Sequence, residues 1–256
     1  MVKTNLKTRI IPCMLFNGLN LVKTIQFGEM RNLGNPIQMA QVYNSRNVDE
    51  LIFIDLLGSQ ENRQPAFEIV RDIVAECFMP LTIGGGIHTI KDIEKLFSIG
   101  ADKISINTAA LMNPTFISQI AKSYGSQAIV VSIDAKKIGR DYYVHTARGQ
   151  KNTGMKVGDW AKMVEQLGAG EIFLTSVERD GTMRGYDTDL IATVSAAVSI
   201  PVIACGGAGK VQDIIEAVKI GGADAVSLAS MFHYSGHTSN SIKERMHDFG
   251  IPVRLL

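Results

Sequence analysis

The stretch Met79-Pro-Leu-Thr-Ile-Gly-Gly-Gly-Ile87, followed by Gly100-Ala-Asp-Lys-Ile-Ser-Ile-Asn107, decides the fold because it occurs twice. The second copy is Ile200-Pro-Val-Ile-Ala-Cys-Gly-Gly-Ala208, followed by Gly222-Ala-Asp-Ala-Val-Ser-Leu-Ala229, at an offset of about 121 residues. Each copy has the pattern of a short apolar strand, a glycine turn, a helix and a further strand. Two β/α halves of this length close most naturally as an eight-stranded (β/α)₈ TIM barrel.

Length and composition fit one enzyme-sized domain. The chain has 256 residues, of which 46% are hydrophobic and 20% charged, enough apolar material for a large core. We therefore predict a single barrel over residues 1–256, with half-barrels over about 1–124 and 125–256. Continuous apolar runs, typical of parallel strands buried on both faces, are predicted as strands near 9–14, 50–56, 79–84, 103–107, 128–134, 171–176, 201–205 and 225–229.

Charge and cysteine content exclude several functional classes. A net charge of +1 gives no electrostatic reason to bind nucleic acid or an anionic membrane. Three widely spaced cysteines indicate a reduced protein without a disulfide framework. The first nine residues contain no apolar segment of an export signal, so we predict a cytoplasmic protein. The histidines and cysteines lack metal-ligand spacing, and we predict neither a metal nor a cofactor.

Four charged residues begin four of the predicted strands. They are Arg9, Glu50, Lys103 and Glu171, and they should form a ring at the bottom of the barrel, where two charges of each sign could pair. The alternative is a solvated rim of strand-end charges.

The opposite end of the barrel carries acid and glycine signals. Asp134 ends the fifth strand pointing inward, the usual place for a catalytic acid or base, although it could instead cap the following loop. The glycine turns after the third and seventh strands allow close backbone approach, as phosphate binding requires. Because the turns recur symmetrically, two phosphate sites are predicted on opposite sides of one mouth.

The whole chain resembles a known family, the cyclase subunit of imidazole glycerol phosphate synthase, called HisF. The segments that carry the resemblance are Arg9-Ile-Ile-Pro-Cys13, Asp49-Glu-Leu-Ile-Phe-Ile-Asp55, Gly84-Gly-Gly-Ile87, Ala101-Asp-Lys-Ile-Ser-Ile-Asn-Thr-Ala109, Arg179-Asp-Gly-Thr182 and Cys205-Gly-Gly-Ala-Gly209. Family members bind a substrate with two phosphates and work with a separate glutaminase subunit.

The resemblance implies a role for each matching position. The ring of four charges would be the gate through which ammonia enters the barrel, and Asp102 would lie at the glutaminase docking surface. Asp134 and Lys23 would serve catalysis. One phosphate would be held by Gly86, Asn107 and Thr108, and the other by Asp180, Gly181, Gly207, Ala229 and Ser230.

One departure from the family pattern puts its chemistry in doubt. The family ends its first strand with Cys-Leu-Asp and uses that Asp together with the one matching Asp134, whereas this chain has Cys13-Met14-Leu15. Leucine cannot transfer a proton, and general acid–base catalysis contributes about 10²–10⁴-fold in rate.

The altered first strand and the segment Leu21-Val-Lys-Thr24 resemble a divergent HisF-like subgroup associated with amidation of nucleotide sugars for bacterial surface polysaccharides. There, a HisH-like glutaminase and a HisF-like barrel supply ammonia to a sugar amidotransferase that forms an acetamidino group. Two alternatives remain open. One is a true cyclase of histidine biosynthesis in which Glu178, Asp55 or Asp187 replaces the missing acid; the other is a non-catalytic activator of the glutaminase.

Overall fold

A computed structural model describes residues 6–234 and 236–255. Residues 1–5, 235 and 256 lie outside the described residues, and with them the two ends of the predicted domain and part of the N-terminal segment. Among the described residues, no helix combines the length and the apolar character needed to cross a bilayer.

Eight parallel strands close into a barrel, as predicted. Each barrel strand pairs with the next one along the chain, the fifth with the sixth included, and the eighth pairs with the first to complete the ring. The strands are β1 (Arg9–Phe16), β4 (Leu51–Asp55), β5 (Leu81–Gly84), β6 (Lys103–Ile106), β7 (Ile129–Ile138), β10 (Glu171–Ser176), β11 (Val202–Cys205) and β12 (Ala225–Leu228). Every predicted strand is therefore present, with ends shifted by a few residues.

Helices pack around the outside of the strands and bury an apolar stripe against them. They are α1 (Pro36–Ser45), α2 (Phe67–Glu76), α3 (Ile90–Ile99), α4 (Thr108–Met112), α5 (Thr115–Tyr124), α6 (Val157–Gln166), α7 (Thr188–Ser195), α8 (Val211–Lys219), α9 (Ser230–Tyr234) and α10 (Ser239–Asp248). Local chemistry sets the helix starts: Thr89 accepts a hydrogen bond from the Asp92 amide, and the Asp92 carboxylate accepts one from the Thr89 amide in return.

Two antiparallel hairpins rise above the mouth. The segment between Asn17 and Pro36, which appeared from sequence to be one long loop, contains β2 (Leu21–Lys23) and β3 (Arg31–Gly34). After Asp134, strand β7 leaves the barrel and continues into β8 (Asp141–Thr146) and β9 (Lys151–Lys156). The sequence from about Lys136 to Val157, with Arg148-Gly-Gln-Lys-Asn-Thr-Gly154, predicts a hairpin, and the structure has one, with its second turn at residues 147–150.

A recurring carboxylate contact fixes the lower end of the barrel. Asp49, Asp102 and Asp224 each stand one or two residues before a strand and accept the backbone amide near the start of the neighbouring strand. The N···O distances are 2.8 Å to Ile10, 2.8 Å to Leu81 and 2.9 Å to Val202. These contacts satisfy amides at the barrel rim and hold adjacent strands in register.

Candidate functional site

The four predicted ring residues meet at the bottom of the barrel. Arg9 Nη1 donates to Glu50 Oε1 at 2.7 Å and to Glu171 Oε1 at 2.8 Å. Lys103 Nζ bonds the same two carboxylates, at 3.0 Å to Glu50 and 3.1 Å to Glu171. Burial lowers the pKa of Arg9, but the carboxylates of Glu171 and Glu50 together outweigh burial and raise the pKa above its ordinary value. The result is a closed ring of alternating charge across the barrel axis, and its role as an ammonia gate stays a prediction. Glu50 lies one residue before β4 and not at its first position.

Above the charged ring, the barrel interior is mainly apolar. Inward side chains from six strands form one buried cluster, made of Ile11, Cys13, Ile52, Val130, Phe173, Ile203 and Ala225. Leu15, Ile54 and Cys205 pack against this cluster from the mouth side. The hydroxyl groups of Ser105, Ser132 and Thr175 also line the interior and can hydrogen-bond a small neutral molecule, whereas the apolar majority disfavours an ion.

Leu15 and Asp134 line the same cavity at the mouth, which encloses about 1120 Å³, part of it open to solvent. Asp134 Oδ2 accepts a hydrogen bond from Asn107 Nδ2 at 2.9 Å. Burial raises the pKa of Asp134 to about 7; the Asn107 bond lowers it and the charge of Asp180 raises it. A carboxyl group with this pKa can both accept and donate a proton near neutrality, but the residue facing the cavity from β1 is a leucine.

None of the three acids considered as replacements is available beside Asp134. Asp55 is held by a two-pronged contact with Arg63, at 2.9 and 3.2 Å, and by the amides of the turn that follows β4. Glu178 accepts the amide of Lys137 on the exposed outside of the hairpin. Asp187 caps α7 and accepts the Tyr142 hydroxyl at 2.8 Å. Each carboxylate is thus committed to a local structural contact.

Lys23, the last residue of β2, is buried against Asp180. Its Nζ lies 3.6 Å from Asp180 Oδ1, and Thr24 Oγ1 donates to Asp180 Oδ2 at 2.9 Å. This buried pair ties the first hairpin to the segment after β10. The participation of Thr24 was not predicted, because no sequence signal distinguishes its hydroxyl from an ordinary turn residue.

The first predicted phosphate site surrounds the turn after β5. Gly86, Asn107 and Thr108 all line the main cavity, with Asn107 preceding α4 and Thr108 as its first residue. Gly85 and Gly86 have φ values of 93° and 69°, a conformation that favours glycine. A side chain is also excluded at Gly85, since a Cβ there would lie 2.1 Å from the Asp55 carbonyl oxygen.

The second predicted site forms a recess of about 270 Å³ beside the first. All five residues assigned to it from sequence line this recess, namely Asp180, Gly181, Gly207, Ala229 and Ser230. Lys23, which pairs with Asp180, lines the same recess. The chain therefore brings both predicted sets to one mouth, on either side of Leu15 and Asp134, and phosphate binding by them stays a prediction.

Asp102 lies at the opposite end of the molecule, beside the charged ring, with an exposed side chain. One of its carboxylate oxygens accepts the Leu81 amide. Asp102 therefore lies on the bottom face, as predicted. Its contact with a glutaminase stays a prediction.

Arg148 is a cavity residue that sequence reasoning missed. It stands in the turn between β8 and β9 and lines the main cavity. Its Nη2 donates to the carbonyl oxygens of Phe27 and Gly28, at 2.7 and 2.8 Å. The sequence placed Arg148 in a hairpin but contained no signal for the direction in which that hairpin folds.

Fold and site together define a (β/α)₈ barrel with a charged ring at one end and paired glycine turns around an acid at the other. Comparison with known proteins identifies the family: the profile of the histidine biosynthesis protein family matches residues 9–238. The chain is 48% identical to the imidazole glycerol phosphate synthase subunit HisF of Chlorobium phaeobacteroides, over 98% of this chain and 100% of that protein. It is 46% identical, with the same coverage, to the HisF subunits of Chlorobium phaeovibrioides and Chlorobium limicola. The chain belongs to the histidine biosynthesis protein family and is HisF-like over nearly its full length.

Proposed function

We propose that this protein is the synthase subunit of a glutamine amidotransferase complex, which receives ammonia from a HisH-like glutaminase and conducts it through the barrel. The observation that carries the proposal is the combination of a complete charged ring with a mouth that lacks one acid. Arg9, Glu50, Lys103 and Glu171 all pair, while Leu15 faces the cavity that contains Asp134.

The physical basis is that ammonia delivery and cyclisation make different demands on the barrel. Delivery requires that ammonia stay neutral and shielded from water, which the apolar interior supports. Cyclisation of a phosphorylated precursor requires proton transfers, for which acid–base groups are needed on the substrate. The chain retains the features that ammonia delivery requires and lacks one of the acid–base groups that cyclisation requires.

For the acceptor of the ammonia, we propose a nucleotide sugar on which a separate sugar amidotransferase forms an acetamidino group. Support comes from the sequence in and next to β1 and β2, where Cys13-Met14-Leu15 and Leu21-Val-Lys-Thr24 resemble segments of the amidation-associated subgroup. The three Chlorobium relatives are named only for imidazole glycerol phosphate synthase.

A second candidate is a cyclase of histidine biosynthesis, favoured by the 48% identity to a HisF subunit and by the pKa of Asp134 near 7. In this case Asp134 alone, or with water, would perform the proton transfers. The third alternative is a non-catalytic activator of the glutaminase. It needs no conducting barrel and therefore does not explain the paired ring of four charges at the bottom of the barrel.

The deciding experiment measures ammonia-dependent cyclase activity of the purified chain on the imidazole glycerol phosphate precursor. The unmodified chain is compared with Leu15→Asp and with Leu15→Asn, which matches the size and polarity of the new side chain but cannot transfer a proton in the same way. We expect little activity in the unmodified chain and in Leu15→Asn, and a gain of about 10²-fold or more in Leu15→Asp.

Activity of the unmodified chain at the level of a competent cyclase would refute the delivery proposal and support the histidine pathway. A second measurement adds a HisH-like glutaminase and follows glutamine hydrolysis. If the barrel neither cyclises the precursor nor raises glutaminase activity, membership of any such complex is refuted.

A further inference from the structure

The two hairpins above the mouth touch at their tips through Arg148. The turn after β8 supplies the guanidinium, and the segment between β2 and β3 supplies the carbonyl oxygens of Phe27 and Gly28. Both contacts use Nη2, so Nε and Nη1 of Arg148 have no hydrogen-bond partner among residues 6–234 and 236–255. A guanidinium can donate five hydrogen bonds, and three of its donors are thus uncommitted.

Arg148 is also the unpaired cation of the cavity wall. The other lining cation, Lys23, pairs with Asp180, and the lining carboxylate of Asp55 is neutralised by an arginine behind it. Within the part of the chain described, no carboxylate oxygen lies within 4.0 Å of Arg148, and Asp134 bonds to an amide and not to this guanidinium. A half-buried guanidinium next to apolar side chains is costly to leave without an anion.

The backbone around this contact is held in an uncommon conformation on both sides. Ala147 and Arg148 have φ values of 51° and 55°, and Gln26 and Phe27 have values of 52° and 58°. Four residues other than glycine in the left-handed region cost free energy, and such residues cluster at ligand clamps and switch segments. The tips are therefore shaped to present the guanidinium at this point of the mouth.

We propose that Arg148 binds an anionic group, a phosphate or a carboxylate, of a ligand held in the main cavity. The anion completes the charge balance of the wall and bonds to the donors that the protein leaves free. Arg148 is thus a specificity-determining residue for an acidic ligand, and it links that ligand to the hairpin tip at Phe27 and Gly28. The inference does not depend on where the ammonia is finally used.

The test measures binding of fructose 1,6-bisphosphate and of inorganic phosphate to the full chain by titration calorimetry. Arg148→Gln removes the charge, Arg148→Lys keeps the charge but loses the planar donor set, and Lys151→Gln is the matched control on an exposed position of the same hairpin. We expect Arg148→Gln to raise the Kd of the bisphosphate about tenfold or more, with Arg148→Lys intermediate and Lys151→Gln within about twofold. Circular dichroism melts establish that each variant is folded.

Hydrogen exchange of residues 24–30 separates ligand binding from a purely structural contact. In the unmodified chain, bisphosphate should slow exchange there, and Arg148→Gln should abolish that protection. If Arg148→Gln binds both probes as tightly as Lys151→Gln does, Arg148 only ties the hairpins together and the proposal is wrong. Failure of the unmodified chain to bind either probe at millimolar concentration also refutes it, without bearing on the cyclase and glutaminase measurements above.

Discussion

Replacing Asp134 with asparagine should make the stability of the protein less sensitive to a rise in pH between 3.8 and about 7. Burial raises the pKa of Asp134 from an ordinary value of 3.8 to about 7, so between these values the folded protein retains a proton that the unfolded chain has lost. The folded state binds more protons in this window, and therefore the free energy of unfolding falls as the pH rises through it. The stability associated with the protonated acid is fully present below pH 3.8 and is lost as the pH passes about 7. Asparagine does not titrate, so the free energy of unfolding of Asp134→Asn does not fall in this way.

The size of this change in the free energy of unfolding follows from the difference between the two pKa values of Asp134. At about 1.4 kcal/mol for each pH unit, the interval corresponds to roughly 4 kcal/mol. Since Asp134 borders an open cavity and is partly exposed, solvent screening reduces this to roughly 2 kcal/mol. For a chain of this length, that free energy amounts to roughly 4–8 °C in Tm. Among the described residues, the buried Asn107 Oδ1 has no hydrogen-bond partner, so the new amide can in addition donate to it at every pH.

The assay is thermal unfolding of the unmodified chain and Asp134→Asn at pH 4, 5, 6, 7 and 8, with Asp72→Asn as an exposed control on α2. The Tm advantage of Asp134→Asn should grow between pH 5 and 8, whereas that of the control should not. An advantage of equal size at every pH would come from the added hydrogen bond alone and would refute the raised pKa of Asp134.

Two further predictions concern the ring and the glycine turn. Lys103→Glu leaves three carboxylates around Arg9, and we expect it to lower glutamine-dependent turnover of the complex at least tenfold while turnover with free ammonia continues; equal losses with both nitrogen sources would contradict a gate. Gly85→Ala would bring a Cβ to 2.1 Å from a backbone oxygen at φ 93°, so it should lower the free energy of unfolding by roughly 3 kcal/mol or more in a urea titration. The control is Gly154→Ala, at φ 76° in open space, which should lower the free energy of unfolding by about 1 kcal/mol. A loss as large as that of Gly85→Ala would argue against the close contact at Gly85.

The barrel could be predicted from sequence because its signals are local and repeated. Each apolar run between a polar start and a glycine turn is sufficient to define a strand, and the repeat fixes the number of strands. Strand alternation then placed Arg9, Lys103 and Glu171 on the inner face at one end and Asp134 at the other, as observed. The division into half-barrels stays a prediction.

The hairpins were less predictable because their structure depends on contacts between distant segments. The strand content of residues 17–36 was missed: β3 is short and exposed, so it lacks the apolar alternation that marks a strand. The direction of Arg148 depends on a contact between residues 120 or 121 positions apart. The commitment of Asp55 to Arg63 likewise follows from a turn geometry that sequence does not specify.

Strand β5 runs between the two faces of the molecule, and the contact between Asp102 and Leu81 fixes its lower end. Its first residue, Leu81, donates its amide to the exposed Asp102 carboxylate on the bottom face. Its last residue leads into the turn at Gly84–Gly86. The four residues of β5 span only about 10–13 Å, and an extended strand paired on both sides is stiff along its length. A protein that displaced the Asp102 carboxylate would therefore move the first amide of β5, and the turn that follows this strand contributes Gly85 and Gly86 to the cavity at the mouth.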